Sequence, residues 1–235
     1  MKIKLLIRSL LMASILGLVA CTGGEGRQAE YFARAQQFFD DANYEKAHIE
    51  VKNVLQINSQ HAEGRYLLAL LFERERNWQQ MFGNLKMVIE LAPEHEEARI
   101  KYAQMLFANK MYAEVQEQVD AVLLLSENNP DAHVLLGSVM FRQGKPDEAI
   151  RQAELALSEQ PGNVSAIALL SAVYSDEDPD RALDVIGEGI ALQTKSATLK
   201  LLKIGLLEKQ NKVEEVVAVY RQLLSDYPDN LLFHY

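Results

Sequence analysis

Cys21 is the only thiol in the 235 residues. With no second cysteine in the sequence to pair with, its thiolate is a candidate nucleophile. Five histidines, His48, His61, His95, His133 and His234, are the other candidates for ligation or proton relay. His61 and His95 close consecutive 34-residue stretches at matching places. That separation is too large for one metal, and no Cys or HxxxE-type spacing adds ligands, so both read as turn residues. Asp176-Glu177-Asp178-Pro179-Asp180 is an acidic cluster without the oxygen spacing and glycine of a calcium loop; it reads as a solvated turn and helix start. HExxH, GxSxG, Walker and GxGxxG patterns are absent from the sequence. Gly23-Gly24-Glu25-Gly26 precedes no strand–helix junction and reads as a linker. The expectation is a protein that is not an enzyme, with no metal and no cofactor.

The residues before Cys21 give the thiol a destination. Lys2, Lys4 and Arg8 form a positive start, and Ser9 to Ala20 is an apolar stretch of 12 residues. That is too short to span a bilayer as a helix and fits the apolar region of an export signal. Leu18-Val19-Ala20-Cys21 looks like the lipobox of bacterial lipoproteins. The resemblance implies a signal peptide over 1–20, diacylglycerol on the Cys21 sulfur, and a further acyl chain on the freed amine. Several buried chains hold a protein on a membrane far more firmly than one. Thr22, not Asp, follows; by resemblance to Gram-negative lipoprotein sorting, this implies the periplasmic face of the outer membrane. Residues 21–27 hold three glycines and are expected to be a flexible tether, about 20 Å long at full stretch.

The charge balance narrows the partners. The chain carries 24 Lys and Arg against 33 Asp and Glu, a formal −9. Three of those bases and none of the acids lie in the first 20 residues, so the remainder carries −12. Such a surface repels phosphate backbones and anionic headgroups, which argues against nucleic acid and polybasic membrane docking.

The positioning elements are read from a repeat. Ala47, Met81, Val115, Ala149, Ala182 and Val216 fall at matching points of a 34-residue period. Each follows an apolar helical stretch, a polar turn, and usually an aromatic or Pro three residues earlier; a second apolar helix comes after. Such a period signals stacked helix–turn–helix units. The fourth unit, "DAHVLLGSVMFRQGKPDEAIRQAELALSEQPGN", resembles a tetratricopeptide repeat, with Gly137 and Ala149 where the paired helices cross, and Ala156 and Pro161 completing the pattern. The resemblance implies an all-α, right-handed superhelix (α-solenoid) of about six repeats: 28–61, 62–95, 96–129, 130–163, 164–196 and 197–230. The fifth is one residue short near Asp176–Asp178. Small residues at the crossing (Ala35, Ala69, Ala103, Gly137, Ser171) let the helices interlock; Ile204 there predicts a looser sixth unit. Val51, Leu85, Val119, Ala153, Ile186 and Tyr220 are expected in the core, and Gly187 and Gly189 are expected to weaken one helix. Residues 231–235 open a seventh unit, so the array is expected to continue.

In this family the first helices line the concave face. That implies a partner groove built from Phe32, Gln36, Phe39, Tyr66, Ile100, Gln104, Phe107 and Phe141, with Glu63, Glu97 and Asp131 along its lip. The Lys and Asn clamp of chaperone-binding members is absent: Phe32, Gln36, Tyr66 and Leu70 stand in its places. The expected partner is a protein or peptide segment, apolar or amphipathic with basic flanks. The expected function is a lipid-anchored periplasmic scaffold for an envelope complex. Asn43 to Ala69 looks like the opening of long repeat lipoproteins associated with exopolysaccharide and PEP-CTERM systems. The alternatives are assembly of an outer-membrane protein, pilus or secretin, and an enzymatic domain beyond Tyr235.

Overall fold

The computed structural model describes residues 24–230. The signal region, Cys21 and the expected seventh unit lie outside them. Twelve helices follow in pairs: α1 (24–40), α2 (Tyr44–Ile57), α3 (Ala62–Arg74), α4 (Trp78–Leu91), α5 (Glu96–Ala108), α6 (Tyr112–Leu125), α7 (Pro130–Arg142), α8 (Pro146–Glu159), α9 (Val164–Tyr174), α10 (Pro179–Leu192), α11 (Ala197–Lys209) and α12 (Val213–Asp226). The described part of α1 overlaps the stretch expected as tether: residues 24–27 are helical. Gly24 and Gly26 lower helix propensity, but each added turn needs only propagation from the long helix that follows.

The chain divides into two compact units at Ala98/Arg99. In the first, α3 packs on α2 and α4. In the second, each helix from α6 to α12 packs on its neighbour, and α9 also touches the two flanking first helices, α7 and α11. That is the layering of an α-solenoid, in which a repeat buries its apolar face only against the next. The crossing positions Ala35, Ala69 and Ala103 are fully buried, and Ser171 is nearly so. Ile204 does not loosen its crossing: it is buried with Leu207 and Val219. Tyr220 departs from expectation and is exposed, since no described helix lies beyond α12.

The turns inside the repeats share one device. Ala42, Arg76, Lys110, Gly144 and Asn211 all have φ between 55° and 76°. At each, the next residue's N–H reaches five residues back, from Asn43 to Phe38, Asn77 to Phe72, Met111 to Leu106, Lys145 to Met140 and Lys212 to Leu207, at 2.7–3.0 Å. This is a Schellman closure, which satisfies the orphan carbonyls of the first helix. The missing residue of the fifth unit removes that position: α9 has 11 residues, and Asp178 N–H donates to Tyr174 O instead. Only one of the five left-handed positions is glycine. Arg76→Gly and Lys110→Gly are each expected to gain about 0.5–1 kcal/mol, because a side chain is disfavoured there. The urea midpoint of each variant checks this.

Gly187 and Gly189 have opposite roles on α10. A Cβ at Gly187 would meet nothing within 4 Å, whereas one at Gly189 would come within 2.6 Å of Ile167 Cδ1 and 3.2 Å of Leu199 Cδ1. Both neighbours are buried. Gly189 is thus required by packing, and only Gly187 weakens its helix. Gly187→Ala should stabilise by about 1 kcal/mol, and Gly189→Ala should destabilise by about 1 kcal/mol or more, overpacking outweighing propensity. Equal signs in thermal melts would refute the distinction.

Candidate partner-binding surfaces

The first helices are positioned by polar ties that recur at their fourth residue. Arg65 donates to the Ser59 carbonyl (2.7 Å) and to Asn84 Oδ1 (3.4 Å). Arg99 donates to Gln118 Oε1 at 2.6 Å. His133 Nε2 donates to the Glu127 carbonyl (3.0 Å), and its Nδ1 lies 2.7 Å from the Gln152 side-chain amide. Lys200 donates to the Thr194 carbonyl at 2.5 Å and pairs with Asp226. In the fifth repeat the same places hold Ile167 and Ile186, packed in one apolar cluster. Each tie fixes a first helix to the loop before it or to its repeat's second helix, so the face it presents is held in register.

In the first unit, rings of the first helices stack on histidines that cap the next first helix. Phe32 lies 4.9 Å from His61, and Tyr66 lies 4.4 Å from His95, centroid to centroid. His61 Nδ1 accepts from Gly64 N–H at 2.9 Å and His95 Nδ1 from Ala98 N–H at 3.3 Å. These histidines are therefore helix N-caps in the turns where the sequence placed them, and the cap requires an unprotonated Nδ1. Burial lowers the His61 pKa below 6.5, against a smaller raising influence of Glu63. The folded state favours neutral His61, so it binds fewer protons than the unfolded chain as pH falls. This contribution is complete above 6.5 and is lost as pH drops below it. Urea midpoints between pH 7.5 and 5 should show the decline. His61→Asn, which caps without titrating, should flatten it.

Tyr66, His95, Glu63, Glu94 and Glu97 border a cavity of about 450 Å³. Burial, helped by Glu97, Glu73 and Glu63, pushes the Tyr66 hydroxyl up to about 12. Phe32 and Phe39 pack on the core around Ala35 and Val51, and Phe39 meets Tyr44 edge-on at 5.5 Å. Gln36 is exposed.

In the second unit three of the expected groove residues come together. Gln104, Phe107 and Phe141 line a cavity of about 370 Å³ with Asp131, Val134, Leu135, Arg142 and Leu169. Phe107 and Phe141 are half-buried, and Gln104 is exposed. Phe107 lies 5.6 Å from Tyr112, as Phe39 does from Tyr44, so the aromatic that starts a second helix props the ring before it. Ile100 is a correction: it is 7% exposed and is not among the residues lining this cavity. At that place Phe32 and Tyr66 carry longer rings that reach a histidine cap, whereas the shorter Ile100 side chain is covered by its neighbours. Leu135 and Leu169 were not expected here, and the one available signal was that each directly follows a residue facing the cavity, Val134 and Ala168.

Known proteins extend this picture. Family models described as tetratricopeptide repeat match residues 106–174 and 201–230. No curated protein matches the chain. Among solved structures, pilF of Pseudomonas aeruginosa is similar at 18% identity, covering 90% of this chain and 97% of that one, with a TM-score of 0.66. PilW, a type IV pilus biogenesis factor, is similar at 14% identity over 88% and 96%, with a TM-score of 0.72. MamA is similar at 19% identity over 73% and 94%, with a TM-score of 0.58. At such identities these likenesses show the fold. With paired helices, shared turn closure and matching repeat models, residues 106–174 and 201–230 carry tetratricopeptide repeats, and the described residues fold as an α-solenoid of that kind.

Proposed function

We propose that this protein is a non-enzymatic scaffold at the periplasmic face of the outer membrane, anchored by lipid on Cys21, that grips an apolar segment of a protein partner while an envelope complex is assembled. The single observation that carries the binding reading is the second-unit cavity, where Phe107 and Phe141 offer half-buried rings beside the exposed Gln104 amide. Half-buried aromatics in a preformed concavity are the commonest anchors of protein association. The anchor reading rests on the positive start, the apolar stretch and the lipobox-like Leu18–Cys21 of the sequence. Among envelope processes, type IV pilus assembly is favoured over exopolysaccharide secretion. Its support is the near-complete mutual coverage with pilF and with PilW, itself a type IV pilus biogenesis factor.

A photo-crosslinking residue at Gln104, in native membranes, tests the reading. An adduct with a secretin or other pilus component supports it. An adduct with a polysaccharide synthase moves the process to exopolysaccharide, and no protein adduct at all overturns the groove. Mass spectrometry of the amino terminus tests the anchor: an unacylated Cys21 would remove it.

A further inference from the structure

We infer that the second-unit cavity takes an extended segment, apolar in its middle, basic at one end and acidic at the other. This rests on the groove reading above and adds the chemistry of the partner. Asp131 stands at the start of α7 and Arg142 at its end, and both line the cavity. Eleven helical residues separate them, about 16 Å along the axis. Neither side chain makes an ion pair or hydrogen bond among the described residues. Elsewhere in the unit four of the lysines, Lys145, Lys200, Lys209 and Lys212, are paired with carboxylates. An unpaired guanidinium and an unpaired carboxylate at opposite ends of one apolar trough form a dipolar site, and a partner of opposite polarity satisfies both.

The middle of the trough fixes the backbone form. Phe107, Phe141, Val134 and Leu169 are apolar walls. Ser138 spends its hydroxyl on the Val134 carbonyl at 2.7 Å. The Gln104 amide is exposed, has no partner among the described residues, and offers a donor and an acceptor together. A helix satisfies its own N–H and C=O groups, whereas an extended chain presents both. Five to six residues of extended chain cover the distance between the two charges, at about 3.3 Å per residue.

Three blocked, fluorescent heptapeptides test this on the intact protein. They share Ser-Leu-Ser-Val-Ser and carry Lys and Glu, two Lys, or two Glu at the ends, so that end charges and apolar residues fall on one face of an extended chain. The native protein should bind the Lys-and-Glu peptide about tenfold tighter than either other, because each like-charge end is penalised. Arg142→Glu should turn the preference to the two-Lys peptide, and Asp131→Lys to the two-Glu peptide, with unchanged circular dichroism. Equal binding of all three, a uniform preference for two Lys set by the acidic surface, no binding of any, or rankings unmoved by the reversals would each overturn the inference. The Gln104 crosslink reports separately: a protein adduct with any of those outcomes leaves the groove standing and removes only its dipolar partner.

Discussion

Asp226→Ala is expected to lower unfolding free energy by about 3 kcal/mol, the scale on which a buried ion pair fails when one member is removed. Lys200 lies on α11 with its side chain 4% exposed, and Asp226 is the last residue of α12 at 23%. A carboxylate at a helix C-terminus opposes the macrodipole, so Asp226 has no local reason for its place. It answers the buried ammonium across the hairpin. Without it, Lys200 keeps only the Thr194 carbonyl. The paired change Lys200→Met with Asp226→Leu should cost far less, within about 1 kcal/mol, since burying neither charge removes the desolvation penalty that the pair offsets. Ile167 and Ile186 already show an apolar pair at the corresponding tie of the repeat before. Urea denaturation of the two single variants and the double variant gives the cycle. An Asp226→Ala loss below about 1 kcal/mol would mean that water reaches Lys200 and the tie carries little.

These ties mark where the sequence stops being readable. The 34-residue period is visible because the positions that touch across a hairpin keep one property, small or apolar, through most units. The residues Arg65, Arg99, His133, Ile167 and Lys200 share a location and no chemistry, so nothing at the level of composition aligns them. Their partners sit 19 residues on in four units, but in the sixth the carboxylate comes from the end of α12. The left-handed turns are hidden for a related reason. Gly144 and Asn211 are residues that adopt the conformation readily, but Ala42, Arg76 and Lys110 are held there by the closure of the hairpin. His61 and His95 were legible as turn residues and not as caps, because the usual cap residues are Asn, Asp, Ser and Thr, as at Asn129, Asn163 and Ser196.

The candidate site was legible in position and not in depth. Periodicity names the face of a helix; whether a side chain on that face protrudes depends on its length and on what stands across from it. Phe32, Tyr66 and Ile100 occupy one place in three successive repeats, yet two rings reach a histidine cap while the isoleucine is buried. Gly187 and Gly189 look alike in the sequence, and only the approach of Ile167 separates them.

The largest functional effect is expected from Phe107→Ala combined with Phe141→Leu. Capture of the crosslinked partner from solubilised membranes should fall by more than about tenfold, the loss typical of removing an aromatic anchor from a desolvated pocket. Leucine at 141 keeps the contact that Phe141 makes with the core around Ile167 and Leu169, so the fold is spared while the ring is lost. Phe72→Ala is the matched control. That ring is also half-buried, but it packs on the core of the first unit and meets His48 edge-on at 5.4 Å. It should cost about 3 kcal/mol of stability and leave capture intact at temperatures where the variant remains folded. The two variants thus separate binding from folding in opposite directions. If Phe72→Ala abolishes capture while the double variant retains it, the partner does not sit on the cavity of α5, α7 and α9. The search would then turn to the acidic hollow around Tyr66.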